Sequence, residues 1–125
     1  APLISVCVPA RNEERNIRRC VDALLAQDYP NLEIIILDDR STDATPHILD
    51  ELSQQDDRLI VIHSAELPLG WAGKPHALTQ TSAVARGEWL CFVDADTFPA
   101  QGTLSAVYAK AIEMEADFFT IFTHQ

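Results

Sequence analysis

The stretch that most constrains this chain is Leu32-Glu33-Ile34-Ile35-Ile36-Leu37, which is apolar at nearly every position. A short run rich in β-branched residues and ended by charge reads as a strand. A strand with one wet face alternates apolar and polar residues. One that is apolar throughout is covered on both faces, as in a parallel sheet lying under helices. Similar runs occupy Ile4 to Pro9, Leu59 to Ile62, Trp89 to Val93 and Phe118 to Phe122.

The segments between these runs have the other period. Ile17, Cys20, Val21, Leu24 and Leu25 repeat at helical spacing, with arginines on the opposite face, and Asn12 is expected to cap that helix. Pro30 breaks it. Thr45 followed by Pro46 predicts a second helix with Ile48, Leu49 and Leu52 inward. Pro75 to Ala85 predicts a third, stopped by Gly87. Leu104, Val107, Tyr108, Ala111 and Ile112 mark a fourth. The order βαβαβαβαβ predicts an α/β fold: a mostly parallel open sheet with helices on both faces. Without repeats or interior linkers, residues 1–125 read as a single domain. The chain starts at one strand and stops at another, so it reads as a domain truncated at its C-terminus.

Charge narrows what such a domain can bind. The 19 acidic and 9 basic residues give a formal net charge of -10. Nonspecific nucleic-acid binding needs clustered Lys and Arg, so no nucleic-acid partner is expected. An acidic protein that binds a polyphosphate needs a metal ion or well-placed cations. Cys7, Cys20 and Cys91 lie in apolar runs without metal-ligand spacing and read as core residues. An odd number of such thiols suits a reducing, cytoplasmic compartment. No apolar run reaches the ~18 residues of a membrane span.

The polar residues cluster at the carboxyl ends of the predicted strands. Arg11, Asn12, Glu13 and Glu14 follow the first, Asp38, Asp39 and Arg40 the second, and Asp94 and Asp96 the fourth. Open α/β sheets bind ligands at that edge, where the strand order reverses. Asp94-Ala95-Asp96 offers two carboxylates to one hard cation, Mg²⁺ or Mn²⁺, although an Asp pair can equally cap a turn. Asp38 and Asp39 can accept from the N–H and O–H groups of a base or ribose, or cap a helix. Asp43 reads as a capping or solvated residue. Lys74, just before a predicted helix, is suited to phosphate oxygens or to plain surface. The first loop lacks both G-x-G-x-x-G and a G-K-[ST] phosphate loop, which excludes those cofactor modes. Trp71 can stack on a sugar or base, or anchor its loop. His47 and His76 lack partners at ligand spacing, and His63 and His124 suggest no role. No Ser, Cys or His arrangement points to a covalent nucleophile.

Four segments in order carry a family resemblance. They are Ser5-Val6-Cys7-Val8-Pro9-Ala10-Arg11-Asn12-Glu13-Glu14, Leu37-Asp38-Asp39-Arg40-Ser41-Thr42-Asp43, Gly73-Lys74-Pro75-His76-Ala77-Leu78 and Phe92-Val93-Asp94-Ala95-Asp96. With the Gln27-Asp28-Tyr29-Pro30-Asn31 turn, they resemble the family 2 inverting glycosyltransferases of GT-A fold, over nearly the whole chain. The resemblance implies a Rossmann-like fold that binds a nucleotide-sugar donor, usually a UDP-sugar. Pro9, Arg11 and Glu13 would line the nucleoside pocket. Asp39 would hydrogen-bond the base, usually uracil, with Asp38 the second candidate for that role, and Lys74 would sit near the base or diphosphate. Asp94 would lie near ribose and metal, and Asp96 would be the main metal ligand, with Mg²⁺ or Mn²⁺ neutralising the departing diphosphate.

The chain also departs from that family. The family's general base and acceptor-binding part lie on a later segment, so no catalytic base is expected before Gln125. Arg11 stands where many members carry an aromatic residue. The Gly70-Trp71-Ala72-Gly73-Lys74 loop is similar to members that glycosylate lipids or terpenoids, which implies a parent associated with the cytoplasmic face of a membrane. The competing readings are a noncatalytic nucleotide-binding module and a receiver-like signalling domain, which also alternates β and α around an acidic pair.

Overall fold

A computed structural model describes residues 2–64, 73–113 and 118–121, with 73–78 and 118–121 described by their backbone. The elements alternate without exception. They are β1 (Ile4–Ala10), α1 (Ile17–Leu25), β2 (Leu32–Asp39), α2 (Thr45–Gln55), β3 (Leu59–Ser64), α3 (Gly73–Val84), β4 (Trp89–Val93), α4 (Thr103–Glu113) and β5 (Phe118–Ile121). All pairings are parallel, in the order β3-β2-β1-β4-β5. The α/β class expected from the apolar runs is therefore the class observed. The order also separates it from a receiver, whose flavodoxin-like sheet runs 2-1-3-4-5.

Period-two alternation divides β1 and β2 between two covered faces. Ile4, Val6, Val8 and Ala10 of β1 join Ile34 and Ile36 of β2 in the main core. Ile17, Cys20, Val21 and Leu24 of α1, Leu49 and Leu52 of α2, and Leu104 of α4 complete it. The alternate residues of β1 face the other way, where the Cys7 thiol meets Thr81 of α3. Every residue of β2 is buried, Glu33 included. That is the double coverage its composition demanded. Cys7, Cys20 and Cys91 are all buried and free of disulfides.

Two boundaries differ from expectation. Asp38 and Asp39 do not open the polar loop; they are the last two residues of β2. Pairing on both sides carries the strand that far, since Ala10 aligns with Asp38, which in turn aligns with His63. Asn12 does not cap α1. The helix starts at Ile17 behind Asn16, which makes no side-chain cap. Asn12 instead takes a left-handed backbone (φ 54) and turns its side chain toward a different loop. Asn tolerates that conformation better than most residues. Asp43 is not the cap of α2, which is Ala44; one residue earlier, its Oδ1 accepts from the Thr45 amide at 2.9 Å in a side-chain turn leading into the helix, with Pro46 in the first turn.

The Gln27–Asn31 turn fastens α1 to α4. Gln27 is 6% exposed, and its Nε2 lies 3.0–3.2 Å from the carbonyls of Ala23, Pro99 and Ala100. Its Oε1 accepts from the Leu104 amide at 3.0 Å, satisfying a donor that a helix start leaves over. Beside it, Ser105 Oγ donates to Asp28, and the Tyr29 hydroxyl donates to the Pro2 carbonyl. At the same end of the strands, the other face of the sheet is held by Glu33. It accepts from Ser5 Oγ at 2.5 Å, from the Arg86 amide at 2.7 Å and from Arg86 Nε at 3.2 Å. Burial acts to raise the Glu33 pKa, but these hydrogen bonds and the guanidinium outweigh it, so the pKa is lowered.

Candidate nucleotide and metal site

The strand order reverses at β1, which pairs with β2 on one side and β4 on the other. A crevice therefore opens beyond the carboxyl ends of β1 and β4, as doubly wound sheets require. Pro9 to Glu13 leave β1 at its rim, Asp94 to Asp96 leave β4, and Asp38 and Asp39 end the next strand over. The topology gathers all three strand-end clusters onto one edge. Lys74 falls in the first turn of α3, and its side chain lies outside the described residues, as do Trp71, His76 and His124.

The loop after β1 and the loop after β2 are laced together. The Asn12 amide donates to Ser41 Oγ at 3.0 Å, and Asn12 Oδ1 accepts from the Thr42 amide at 2.7 Å. The Glu13 amide donates to Thr45 Oγ1 at 2.9 Å. The Glu14 amide donates to Asp43 Oδ2 at 3.2 Å, and the Ala44 amide donates to Glu14 Oε1 at 2.9 Å. Asn12, Glu13, Glu14, Ser41, Asp43 and Thr45 thus satisfy one another across the gap between strands. Polar loops that satisfy each other's main chain hold their side chains in place without a hydrophobic anchor.

Asp39 is 6% exposed, and its carboxylate meets the guanidinium of its neighbour: Arg40 Nε lies 3.0 Å from Oδ1, and Nη2 lies 3.4 Å from Oδ2. Arg40 sits at φ 60, in the left-handed region that side chains other than Gly and Asn enter at a cost. That backbone folds its side chain back onto Asp39. Asp38, 4% exposed, faces the opposite way. Its Oδ2 lies 2.7 Å from His63 Nδ1, and its Oδ1 accepts from the Ser41 amide at 3.3 Å. The two adjacent aspartates therefore differ: Asp38 is tied into the protein, while Asp39 stands with Arg40 at the rim.

Asp94 is half-buried and Asp96 exposed, on either side of buried Ala95. The Asp94 carbonyl accepts from the Thr97 amide at 3.0 Å, closing a tight turn after β4. The spacing lets both carboxylates leave the same turn. Among the described residues no group of three or more His, Cys, Asp or Glu side chains could enclose a metal. Two carboxylates suit Mg²⁺ or Mn²⁺, which take oxygen ligands and fill their remaining positions with water and substrate phosphates. They do not suit zinc, whose protein sites need three or four N or S ligands.

One neighbour of Asp38 was not legible in the sequence. His63 looked like the plain end of a strand. The β2–β3 register sets it opposite Asp38, and α2 brings Asp50 to its other nitrogen at 2.8 Å. Only a reading of which strands pair, and in what register, could have found it.

Known proteins resemble this chain along nearly its full length. The model for Glycosyl transferase family 2 matches residues 5–124. The beta-monoglucosyldiacylglycerol synthase of Nostoc sp. is 40% identical over 105 residues, covering 82% of this chain and 22% of the synthase. The structure of S. aureus TarS 1-349 in complex with UDP-GlcNAc superposes with a TM-score of 0.71 at 34% identity, covering 90% of this chain and 32% of that one. The mannosyltransferase PcManGT from Pyrobaculum calidifontis, in complex with GDP-Man and Mn²⁺, superposes with a TM-score of 0.79 at 32% identity, covering 88% and 32%. The chain spans 16% and 37% of the length of two similar curated relatives, the glycosyltransferases GlyA and GlyG of Streptococcus pneumoniae.

Proposed function

The chain belongs to glycosyl transferase family 2, and from that premise we propose that residues 1–125 form one domain that binds a nucleotide-sugar donor through a divalent metal. The observation that carries this reading is the shared edge: Pro9 to Glu13, Asp38-Asp39 and Asp94 to Asp96 meet at the point where the strand order reverses. The UDP-GlcNAc and GDP-Man complexes of the structural neighbours support a nucleotide-sugar in that crevice.

In this reading Pro9, Arg11 and Glu13 line the nucleoside pocket. Asp39 accepts from an N–H of the base, which is uracil, and Asp38 shapes the turn beside it. Lys74 approaches the base or diphosphate. Asp94 and Asp96 hold Mg²⁺ or Mn²⁺, with Asp96 the main ligand; the PcManGT complex with Mn²⁺ supports this choice. The chemistry a divalent ion supplies there is neutralisation of the charge that builds on the leaving diphosphate. Acidic walls make that cation necessary, because Glu13, Glu14, Asp39, Asp94 and Asp96 would otherwise repel phosphate. The side chains of this edge bind and orient the donor. The base that takes the proton of the acceptor hydroxyl lies beyond Gln125, and transfer proceeds with inversion. The acceptor is a lipid or terpenoid, and the parent protein works at the cytoplasmic face of a membrane. The diacylglycerol named in the Nostoc relative supports that choice. Within the described residues no helix is long and apolar enough to cross a membrane.

Titration calorimetry of UDP with and without Mn²⁺ tests this. Affinity is expected to rise at least tenfold with the metal, and Asp96→Ala to remove most of that gain. Equal UDP affinity with and without metal in the unsubstituted protein would overturn the proposal.

A further inference from the structure

His63, the penultimate residue of β3, has both ring nitrogens engaged. Nδ1 lies 2.7 Å from Asp38 Oδ2, and Nε2 lies 2.8 Å from Asp50 Oδ1 on α2. An ionised carboxylate only accepts, so each ring nitrogen must carry a hydrogen for both contacts to be hydrogen bonds. The ring is then an imidazolium bridging two acids. Among the described residues it is the cation within ion-pairing distance of Asp38, a carboxylate with a 6% exposed side chain. A buried carboxylate without such a partner is costly. Asp38 in turn receives the Ser41 amide at 3.3 Å, and the Arg40 amide donates to the Ser64 carbonyl at 3.0 Å. The turn from Asp38 to Ser41 is thereby pinned to the end of β3 at two points. That turn carries Asp39 and supplies Ser41 to the Asn12 loop.

We propose that His63 is a positioning residue for the nucleotide: its two-sided hydrogen bonding fixes the Asp38–Ser41 turn that presents Asp39 to the base, without touching the nucleotide itself. This rests on the nucleotide-binding reading above. The hydrogen bond to Asp38, and after it the one to Asp50, holds the His63 pKa above the ordinary imidazole value. The raised value sets the sign. The bridge is complete below the ordinary histidine pKa and is lost as pH rises through the raised one. The proton on Nδ1 stays with buried Asp38, so the contact released is the one to Asp50, whose side chain is 58% exposed. Other charged groups close by are the Asp39–Arg40 pair on the turn and His47, which pairs with Glu51 on α2.

The experiment uses UDP and GDP with Mn²⁺, titrated calorimetrically from pH 6 to 9, alongside nitrogen-detected NMR of the histidine rings in nucleotide-free protein. Unsubstituted protein should show both His63 nitrogens protonated at the acid end of the range and one proton lost only above the ordinary imidazole value, with affinity declining on the alkaline side. His63→Gln should bind roughly tenfold more weakly, as loss of an orienting partner does elsewhere, and with a flat profile. Asp50→Asn, altered at the surface, should move both the ring titration and the affinity profile to lower pH. Two results overturn the proposal: a His63 ring that titrates at or below the ordinary value, or His63→Gln binding with unchanged strength and pH dependence. If neither nucleotide binds the unsubstituted protein, the function proposed above fails. Amide exchange at Arg40 and Ser41 then decides the anchoring, which faster exchange in His63→Gln supports and unchanged exchange refutes.

Discussion

The side chain of Asn12 accepts a hydrogen bond from the backbone amide of Thr42 at 2.7 Å, thirty residues away in sequence. This bond joins the loop after β1, which carries Arg11 and Glu13, to the loop that directly follows Asp39 at the end of β2; these three residues are proposed to meet the nucleoside. Asn12 can make it because its backbone lies at φ 54, which directs the side chain across the gap instead of onto the helix start.

Replacing Asn12 with Ala removes the acceptor for Thr42 and leaves a left-handed backbone under a side chain that disfavours it. The expected cost is roughly 1–2 kcal/mol in urea unfolding. Asn12→Gly should recover part of that stability, because glycine accepts the backbone, but not the loop-to-loop bond. Nucleotide affinity should fall in both variants. Equal stability of Asn12→Ala and the parent would show that the bond contributes nothing.

Gly87 has no room for a methyl group. A Cβ there would lie 2.6 Å from Ser5 Oγ, 2.7 Å from the Ser5 amide nitrogen and 2.8 Å from the Leu3 carbonyl. Two of these are main-chain atoms of β1 and its approach, so the strand itself would have to shift. The Gly87 amide also donates to Ser5 Oγ at 2.8 Å, a bond the same shift would lengthen. Gly87→Ala should therefore destabilise the protein by about 1–3 kcal/mol or more, read as a lower urea midpoint with unchanged slope. A midpoint within error of the parent would contradict the close approach.

Glu33 should shape the acid side of the stability profile. Its folded pKa lies below the ordinary 4.5, so its contribution is fully present above that value. It is lost as pH falls through the lowered folded value, because the unfolded chain then binds the proton more readily. Glu33→Gln should be less stable than the parent at pH 7 and should lose less stability between pH 5 and pH 3. Parallel urea-unfolding curves for the two proteins across that range would refute it.

The buried thiols should be inert. Burial pushes Cys7 up to about 11 and Cys20 up to about 12, the latter with added repulsion from Glu13, Asp96 and Asp94. At pH 8 the thiolate fraction of Cys7 is about a thousandth, and neither sulfur is open to solvent. Mass spectrometry should find Cys7 and Cys20 unmodified by iodoacetamide in folded protein and alkylated in urea. Rapid alkylation of either in folded protein would mean that this core opens far more readily than its packing implies.

The class of fold was legible from the order of residues alone, because period and burial are local signals. Ile34 to Leu37 had to be covered twice, Leu24 and Leu49 had to face a sheet, and alternation of the two patterns left a parallel sheet as the outcome. The strand-end clusters were visible for the same reason: charge stops a buried strand, and in a parallel sheet the strands stop on a common edge. What sequence could not decide was which neighbour each polar side chain finds, since that depends on strand order and register. Asn12 had the makings of a helix cap until the β1 and β2 loops came side by side. Asp38 and Asp39 read as one acidic pair until alternation along β2 turned Asp38 toward His63 and left Asp39 with Arg40. His63 carried no signal at all, because its importance comes from lying opposite Asp38 in a parallel ladder and beneath Asp50 on a helix. Hydrogen bonds act over about 3 Å, so their partners are fixed only when the chain has brought distant segments to that distance.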